Sequence, residues 1–187
     1  MIRLLALASP ALVQHTSSGA DTIIDTLAAS DVFNPSSPPN NAMLAVRTLA
    51  NLFHTSEGRL IVDGDFDKIQ QLVEPLITSG AKHRNLIIAI TTLYINYSVL
   101  FTSSEGDMNH ALTLMQDVTA LMGGVEDSEA LYRSLVAAGT IMSLGADLRD
   151  AAREAFDFDK VLARAEKVSP EPRIKNVVKE IKDELGA

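Results

Sequence analysis

The spacing of apolar positions predicts a chain built of helices. From residue 40 to residue 53, the sequence NNAMLAVRTLANLF carries Met43, Val46, Leu49, Ala50 and Phe53 at the three- and four-residue spacing of one helix face. No long β-branched run indicates a strand, so the pattern predicts an all-α fold. Similar spacing predicts further helices over residues 2–8, 20–29, 57–62, 66–78, 84–101, 107–122, 128–144, 147–156 and 170–185, with a short one near residue 160.

Prolines and capping residues predict where several of these helices begin and end. The segment NPSSPP, residues 34–39, cannot continue a helix, so Asn40 or Asn41 is expected to cap the helix that follows. Pro75 should bend or shorten its helix, and Gly80 lies just past the expected end. Further N-caps are predicted at Asp107, at Asp127 or Ser128, and at Ser169, with Pro170 opening the last helix.

A repeat with a period in the low forties connects the most apolar helices. Leu44, Ile88 and Tyr132 follow one another at intervals of 44 residues, and each lies in a similar helix. This period is typical of armadillo and HEAT arrays. We therefore predict an armadillo/HEAT-like α-solenoid, a fold that usually binds extended peptides along its concave face.

The solenoid is expected to form one domain over residues 1–187. Partial first repeats are expected over residues 1–33, central repeats over 40–144 and capping helices over 147–187. The last helix is charged on its outer side, as a capping helix should be, whereas the first is apolar. The array is therefore expected to be incomplete at its N-terminus.

Charge and composition exclude several classes of partner. Sixteen basic residues against twenty-four acidic ones give a net charge of −8. We expect no nucleic-acid partner, because phosphate contacts need a basic surface. No uninterrupted apolar stretch of membrane-spanning length occurs, so we expect no membrane partner either. The chain has no cysteine, which excludes disulfides, thiolate metal ligands and a cysteine nucleophile.

The sequence contains no strong catalytic, phosphate-binding or metal-binding motif. The four histidines lack ligand spacing, and no serine lies in a nucleophile elbow. Asp63, Asp65, Asp67 and Glu74 match carboxylate positions of an EF-hand loop, but Lys68 stands where that loop requires glycine. Helical spacing over residues 66–73 instead favours acidic residues in the first turn of a helix. We therefore expect no enzymatic activity, no metal and no cofactor.

Polar residues inside the apolar helices are the candidate binding residues. Arg47 lies one turn from Asn51, and Thr92 lies one turn from Asn96. An asparagine amide can hold the backbone of an extended peptide. The alternative is that both asparagines satisfy buried backbone groups between helices, and the two interpretations are evenly balanced.

Arginines in this acidic chain favour a binding role. Arg47 and Arg133, the latter near Thr140, can each hold a carboxylate through two hydrogen bonds. The alternative is that they pair with neighbouring acids. Arg84 forms a small basic cluster with Lys82 and His83, for which we slightly favour the solvated N-terminal edge of a helix.

Three blocks of this sequence resemble the PUL domain family, known from phospholipase A2-activating protein and fungal proteins of the ubiquitin pathway. They are NNAMLAVRTLANLF, NLIIAITTLYINYSVLF (residues 85–101) and LYRSLVAAGTIMSL (residues 131–144), and they occur in the family's order and spacing. The resemblance covers most of the chain from about residue 23 onward. It implies an armadillo-like α-solenoid, in agreement with the repeat period.

The resemblance also implies a function. It implies a non-catalytic adaptor that binds the C-terminal tail of the Cdc48-type (valosin-containing) AAA ATPase in a groove with basic walls, in the cytoplasm or nucleus. Arg47 and Arg133 stand in matching motifs and are the groove residues that the resemblance implies. Asn51, Arg84 and Asn96 are added from helix-face geometry.

A second type of parent protein gives an alternative. PUL domains also end fungal proteins that carry a thioredoxin-like domain or a de-SUMOylating peptidase domain, and the resemblance does not separate the two parents. In the second parent, this chain would be a structural or self-association module. The apolar first helix, with Leu4, Leu5 and Leu7, would then be an exposed contact surface.

Overall fold

The computed structural model describes residues 17–80, 83–103 and 107–186. Within these ranges, the chain forms ten α-helices, a 3₁₀ turn at Asp31–Phe33 and no strand, which confirms the predicted all-α helical-repeat class. The helix predicted over residues 2–8 lies outside the described residues. The helices are α1 (Ser17–Ala28), α2 (Pro39–Leu52), α3 (Ser56–Gly64), α4 (Phe66–Gly80), α5 (Arg84–Ser103), α6 (Met108–Gly124), α7 (Ser128–Met142), α8 (Ala146–Glu154), α9 (Phe158–Val168) and α10 (Pro172–Gly186).

The chain divides into two compact units, residues 1–93 and residues 94–187. The division falls inside α5, so this helix contributes its first half to one unit and its second half to the other. The expectation of a single domain over residues 1–187 stays a prediction.

The first unit is organised around the buried faces of α2 and α4. The spacing seen in the sequence is confirmed for Val46, Leu49 and Ala50, which are buried, while Met43 and Phe53 are half-buried. Other fully buried side chains of this unit include Ile24, Leu27, Leu52, Phe66, Ile69 and Ile87.

Prolines affect the first unit differently from the sequence prediction. Helix α2 begins at Pro39, where the missing N–H has no intrahelical partner to lose, so the prediction of Asn40 or Asn41 as the cap is wrong. Pro75 lies inside α4, which nevertheless continues to Gly80. Of the two predicted effects of this proline, the shortening of the helix is therefore wrong, and the bend stays a prediction. Pro75 and Gln71, four positions earlier, are both exposed, so water can solvate the carbonyl that the proline leaves without a donor.

The connection from α2 to α3 depends on a close backbone approach at Gly58. Thr55 caps α3, and its Oγ1 accepts a hydrogen bond of 3.0 Å from the Gly58 N–H. A Cβ atom at position 58 would lie 2.0 Å from the carbonyl oxygen of Leu52 and 2.9 Å from Oγ1 of Thr55. Only glycine fits this turn without movement of the backbone.

In the second unit, two aspartates cap helices as predicted. Oδ1 of Asp107 accepts a hydrogen bond of 2.8 Å from the N–H of Asn109 at the start of α6. Oδ1 of Asp127 accepts two hydrogen bonds, of 3.1 Å and 3.0 Å, from the N–H groups of Glu129 and Ala130 at the start of α7. Both caps satisfy helix donors that have no intrahelical partner.

The prediction for the start of the last helix is wrong. Helix α10 begins at Pro172, not at Pro170. Ser169 is buried after the end of α9, and its hydroxyl lies 2.9 Å from the hydroxyl of Ser128. Ser169 therefore connects the starts of α7 and α10 rather than acting as the predicted N-cap.

A buried polar pair joins α5 to α6 within the second unit. The hydroxyl of Tyr94 donates a hydrogen bond of 2.7 Å to the carboxylate of Asp117, and both residues are buried. Removing the tyrosine hydroxyl would deprive a buried carboxylate of a hydrogen-bond donor and would therefore lower the free energy of unfolding. The pair therefore fixes how α5 and α6 pack.

Four polar contacts between different elements of the fold join residues about one repeat apart. Nη1 of Arg164 donates to the carbonyl oxygens of Met122 and Val125 at the end of α6, at 2.7 Å and 3.0 Å. The separations in sequence are 42 residues for Arg164 and Met122, 41 for Ser128 and Ser169, 44 for Glu129 and Arg173, and 43 for Asp25 and Lys68. These contacts agree with the repeat period read from the sequence.

Helix α5 is long and apolar enough to cross a membrane by length and composition, with a mean hydropathy of 1.6. Its apolar run is not continuous in the sequence, because threonine, asparagine, tyrosine and serine interrupt it. In the fold, 61% of that window is buried, as expected of a helix in a protein core.

Replacing Gly58 with alanine should destabilise the first unit. The new Cβ would collide with the Leu52 carbonyl oxygen, so we expect Gly58→Ala to lower the free energy of unfolding by about 1–3 kcal/mol. Urea denaturation followed by circular dichroism measures this. Gly64→Ala is the matched control, because nothing lies within 4 Å of its new Cβ. Equal effects of the two substitutions would contradict the proposed collision.

Replacing Arg164 with alanine should destabilise the second unit. The substitution removes the donor to two carbonyl oxygens at the end of α6, which should cost about 1–3 kcal/mol. Arg153→Ala is the control, because Arg153 is exposed and its pair with Asp150 is 3.7 Å long. Thermal melts should show a clear decrease in Tm only for Arg164→Ala. A similar decrease for both variants would indicate a general effect of net charge.

Candidate peptide-binding residues

Arg47 is an exposed arginine on α2. Its neighbours Val46 and Thr48 are buried, whereas Arg47 points to solvent and forms no side-chain hydrogen bond or ion pair with any residue in the described part of the chain. Asn51, one turn later, is half-buried and takes part in an interaction within the fold. The predicted pair thus consists of Arg47, whose guanidinium is bound by no described residue, and Asn51, which is half-buried.

Arg133 belongs to an arginine–glutamate cluster formed by Glu129, Arg133, Glu171 and Arg173. Nε of Arg133 lies 2.7 Å from Oε1 of Glu129, one turn earlier on α7. Nη1 of Arg173, on α10, lies 2.7 Å from Oε2 of the same glutamate. Nε of Arg173 also lies 2.6 Å from Glu171. For Arg133, the structure therefore shows the pairing with a neighbouring acid that the sequence analysis left open.

The cluster changes the proton affinity of its members. Hydrogen bonds from Arg133 and Arg173 lower the pKa of Glu129 below its ordinary value of 4.5. Hydrogen bonds to Glu129 and Glu171 raise the pKa of Arg173. Both shifts favour the charged forms of Glu129 and Arg173, and the two glutamates and two arginines of the cluster balance in formal charge.

Sequence reasoning missed Arg173. Its guanidinium carbon lies 4.8 Å from the centre of the Tyr132 ring, within the range of a cation–π contact. Arg173 sits at the start of α10, 44 residues after its partner Glu129. The repeat period was the one signal that could have found this pair, because it places equivalent residues of successive repeats close together.

Arg84 and Asn96 lie on different halves of α5. Arg84 is exposed at the start of the helix, in the first unit, and Asn96 is half-buried in the second unit. Both take part in interactions within the fold. The hydroxyl of Thr92 donates to the Ile88 carbonyl oxygen at 2.7 Å, so its proton is already engaged. Lys82, the third member of the predicted basic cluster with His83, lies outside the described residues.

A cavity of about 550 Å³ opens between α7 and α10; we call it the α7–α10 groove. Most of the residues that line it are apolar or carry a hydroxyl group, and two are glutamates. None of the five predicted site residues lines it, so their role in peptide binding stays a prediction. Lining residues include Thr102, Tyr132, Leu135, Val136, Gly139, Thr140, Met142, Ser143, Val177, Glu180, Ile181 and Glu184.

Two further expectations concern metals and self-association. The residues of the EF-hand-like segment lie in or between α3 and α4, which confirms the helical interpretation of residues 66–73. Among the residues that the structure describes, no three acidic or histidine side chains are grouped to hold a metal ion. Leu4, Leu5 and Leu7, proposed for self-association, lie outside the described residues.

The stabilising effect of the cluster should disappear in acid. Because the folded pKa of Glu129 is depressed, its contribution is present above the unfolded value of 4.5 and is lost as the pH falls through the folded value. Glu129→Gln should therefore lower the free energy of unfolding near pH 7 by about 1 kcal/mol or less, and by a smaller amount at a pH below 4.5, where the contribution of the carboxylate decreases. Denaturant titrations at both pH values measure this difference. The control is Glu126→Gln at a nearby exposed position, and a pH-independent difference for Glu129→Gln would contradict the assignment.

Comparison with known proteins identifies the family. The sequence profile of the PUL domain family matches residues 1–180. Phospholipase A-2-activating protein of Xenopus laevis is 30% identical over 112 residues, which cover 60% of this chain and 14% of that protein. Protein DOA1 of Saccharomyces cerevisiae is 29% identical over 116 residues, 57% of this chain and 16% of that protein. The matched part is thus about one seventh of the length of these relatives. Since the profile covers nearly the whole sequence, the chain belongs to the PUL domain family.

Proposed function

We propose that this chain is a non-catalytic adaptor domain of the ubiquitin pathway that binds the C-terminal tail of a Cdc48-type AAA ATPase. The observation that carries the proposal is membership of the PUL domain family over residues 1–180. The helical-repeat fold supports it, because such folds present long surfaces for extended peptides. A cytoplasmic or nuclear location belongs to the same proposal.

Arg47 is the residue best suited to hold a tail carboxylate. It is exposed, and no described residue competes for its guanidinium. A guanidinium can bind a carboxylate through two parallel hydrogen bonds, which makes the contact directional as well as charged. Within a chain of net charge −8, such a site depends on local charge rather than on the overall field.

Side chains around Arg47 suit a peptide that carries apolar residues as well. Met43 and Leu44 lie one turn before Arg47, and Asn51 lies one turn after it, so all share one side of α2. Each of the three is half-buried and therefore partly accessible. A tail can place an apolar side chain against Met43 and Leu44 while its carboxylate meets Arg47.

Arg133 should contribute less than Arg47. Its guanidinium already pairs with Glu129, so a peptide carboxylate has to share or displace that partner. Arg173 has the same constraint, since it binds Glu129 and Glu171. Arg84 and Asn96 take part in other interactions and are the weaker members of the proposed site.

A calorimetric titration with a synthetic peptide of the ATPase C-terminal tail tests the proposal. We expect saturable binding by the whole chain and a weakening of about ten-fold or more for Arg47→Ala, because a charged hydrogen-bonded pair is lost. The affinity of Arg47→Lys should lie between those of the unaltered chain and Arg47→Ala, since lysine keeps the charge but loses the paired hydrogen bonds. Arg133→Ala should have a smaller effect.

Arg153→Ala provides the matched control for charge. It changes the net charge by the same amount at an exposed position on α8, so tail affinity should stay within about two-fold. Equal weakening by Arg47→Ala and Arg153→Ala would mean that Arg47 does not contact the tail. Absence of binding by the unaltered chain would reject the ATPase tail as its partner.

A further inference from the structure

We infer that the α7–α10 groove is a second binding site, for a short peptide segment in which a large apolar side chain stands beside lysine or arginine. This inference goes beyond the ATPase tail proposed above and concerns different residues. It depends on the shape of the groove, on the sign of its charge and on the direction of its hydroxyl groups.

The groove has an apolar floor of suitable size. Leu135, Met142 and Ile181 form buried parts of its lining, and Val136 and Val177 are half-buried beside them. A cavity of about 550 Å³ lies within the range of ligand sites in proteins. The accessible apolar surface of Val136 and Val177 can pack against one aliphatic or aromatic side chain of a peptide.

The charged residues that line the groove are both glutamates, Glu180 and Glu184. Arg149, which does not line the groove, lies 3.4 Å from Glu184 and neutralises part of its charge. Glu180 forms no ion pair with any residue in the described ranges. The two carboxylates and one arginine leave an excess of negative charge on this side of the groove.

Three helix C-termini increase this negative potential. Thr102 lies in the last turn of α5, Ser143 follows the end of α7, and Glu184 lies in the last turn of α10; all three line the groove. None of these helices carries a basic residue in its last turn. Because the C-terminal end of a helix has a partial negative charge, the three ends together favour a cation. Arg149 donates to the Met142 carbonyl oxygen at 3.3 Å and so offsets part of the effect at α7.

Three hydroxyl groups that line the groove present acceptors rather than donors. Thr102, Thr140 and Ser143 each donate their proton to a carbonyl oxygen of their own helix, at 2.8 Å, 2.8 Å and 2.7 Å. Their remaining oxygen lone pairs can accept hydrogen bonds. An ammonium or guanidinium group is all donor, so it complements this surface, whereas a carboxylate does not.

Charges at the opposite end of the helices do not cancel this preference. Arg173 reaches Tyr132, which lines the groove, but its charge is already balanced by Glu129 and Glu171. The apolar floor and the acceptor-lined wall therefore select the same kind of ligand. We assign the groove to a basic and apolar peptide segment.

Binding is tested with three fluorescein-labelled octapeptides on the whole chain. The first has a leucine–phenylalanine pair flanked by two lysines; the second replaces the lysines with glutamates; the third replaces the apolar pair with serines. Fluorescence anisotropy should show saturable binding of the first peptide, at least about ten-fold tighter than that of either other peptide. Equal or tighter binding of the glutamate peptide would overturn the assignment.

Two pairs of variants locate the binding in the groove. Glu180→Gln should weaken the lysine peptide by about three- to ten-fold, while Asp183→Asn, an exposed position on the same helix that does not line the groove, should leave it unchanged. A Cβ at Gly139 would lie 3.5 Å from Cγ1 of Ile181, which is ordinary contact. Gly139→Ala should therefore keep the fold, whereas the larger side chain in Gly139→Leu should occupy the groove and abolish binding.

Circular dichroism of each variant verifies folding before binding is compared. If the lysine peptide still binds to Gly139→Leu, its site lies outside the groove and the inference is overturned. The same conclusion follows if Glu180→Gln and Asp183→Asn change its affinity equally. The ATPase tail peptide is titrated in parallel. Its affinity should not change with Glu180→Gln, so the outcome for the groove and the outcome for Arg47 can be told apart.

Discussion

The contact between equivalent helices of successive repeats is the constraint on which this structure depends. Helices α7 and α10 pack together, as do α6 and α9, and each pair is separated by about one repeat of sequence. An amphipathic helix cannot keep its apolar face in water, so each repeat is stable only against the next one. Arg164 and Arg173 add polar contacts across the same two pairs, at 42 and 44 residues. These arginines fix which turn of one helix faces which turn of the other.

Features that depend on neighbouring residues could be predicted from the sequence. The aspartate caps at positions 107 and 127 are local, because the side chain bonds to N–H groups two or three residues ahead. Helix periodicity is local in the same way. The repeat period could be read because similar helices recur at intervals of 44 residues, at Leu44, Ile88 and Tyr132. The start of α10 at Pro172 also has a local signal, because a proline disfavours helical geometry in the preceding residue, but the prediction used Pro170 instead. The burial of Ser169 against Ser128, 41 residues away, could not be predicted. Local capping rules contain no information about that contact.

The candidate site shows the same division between local and long-range information. Helical geometry alone places Arg47 one turn from Asn51. Packing of the helices decides that Arg47 is exposed and Asn51 is half-buried. Arg133 looked equivalent to Arg47 in the sequence. The difference between them arises from Glu129 on the same helix and from Arg173 on another, and Arg173 has no local sequence signal. The groove itself could not be predicted, because its floor and wall come from three separate helices.

Helix α5 has a consequence for how the protein is made. It is the longest and most apolar helix described, and it emerges from the ribosome before α6, which carries the partner of Tyr94. Until Asp117 has been synthesised, the second half of α5 has no hydrogen-bonded partner for that tyrosine and no neighbouring helix to cover it. The growing chain therefore passes through an interval in which a segment resembling a membrane span is open to water. The buried tyrosine–aspartate hydrogen bond can form only at the end of this interval.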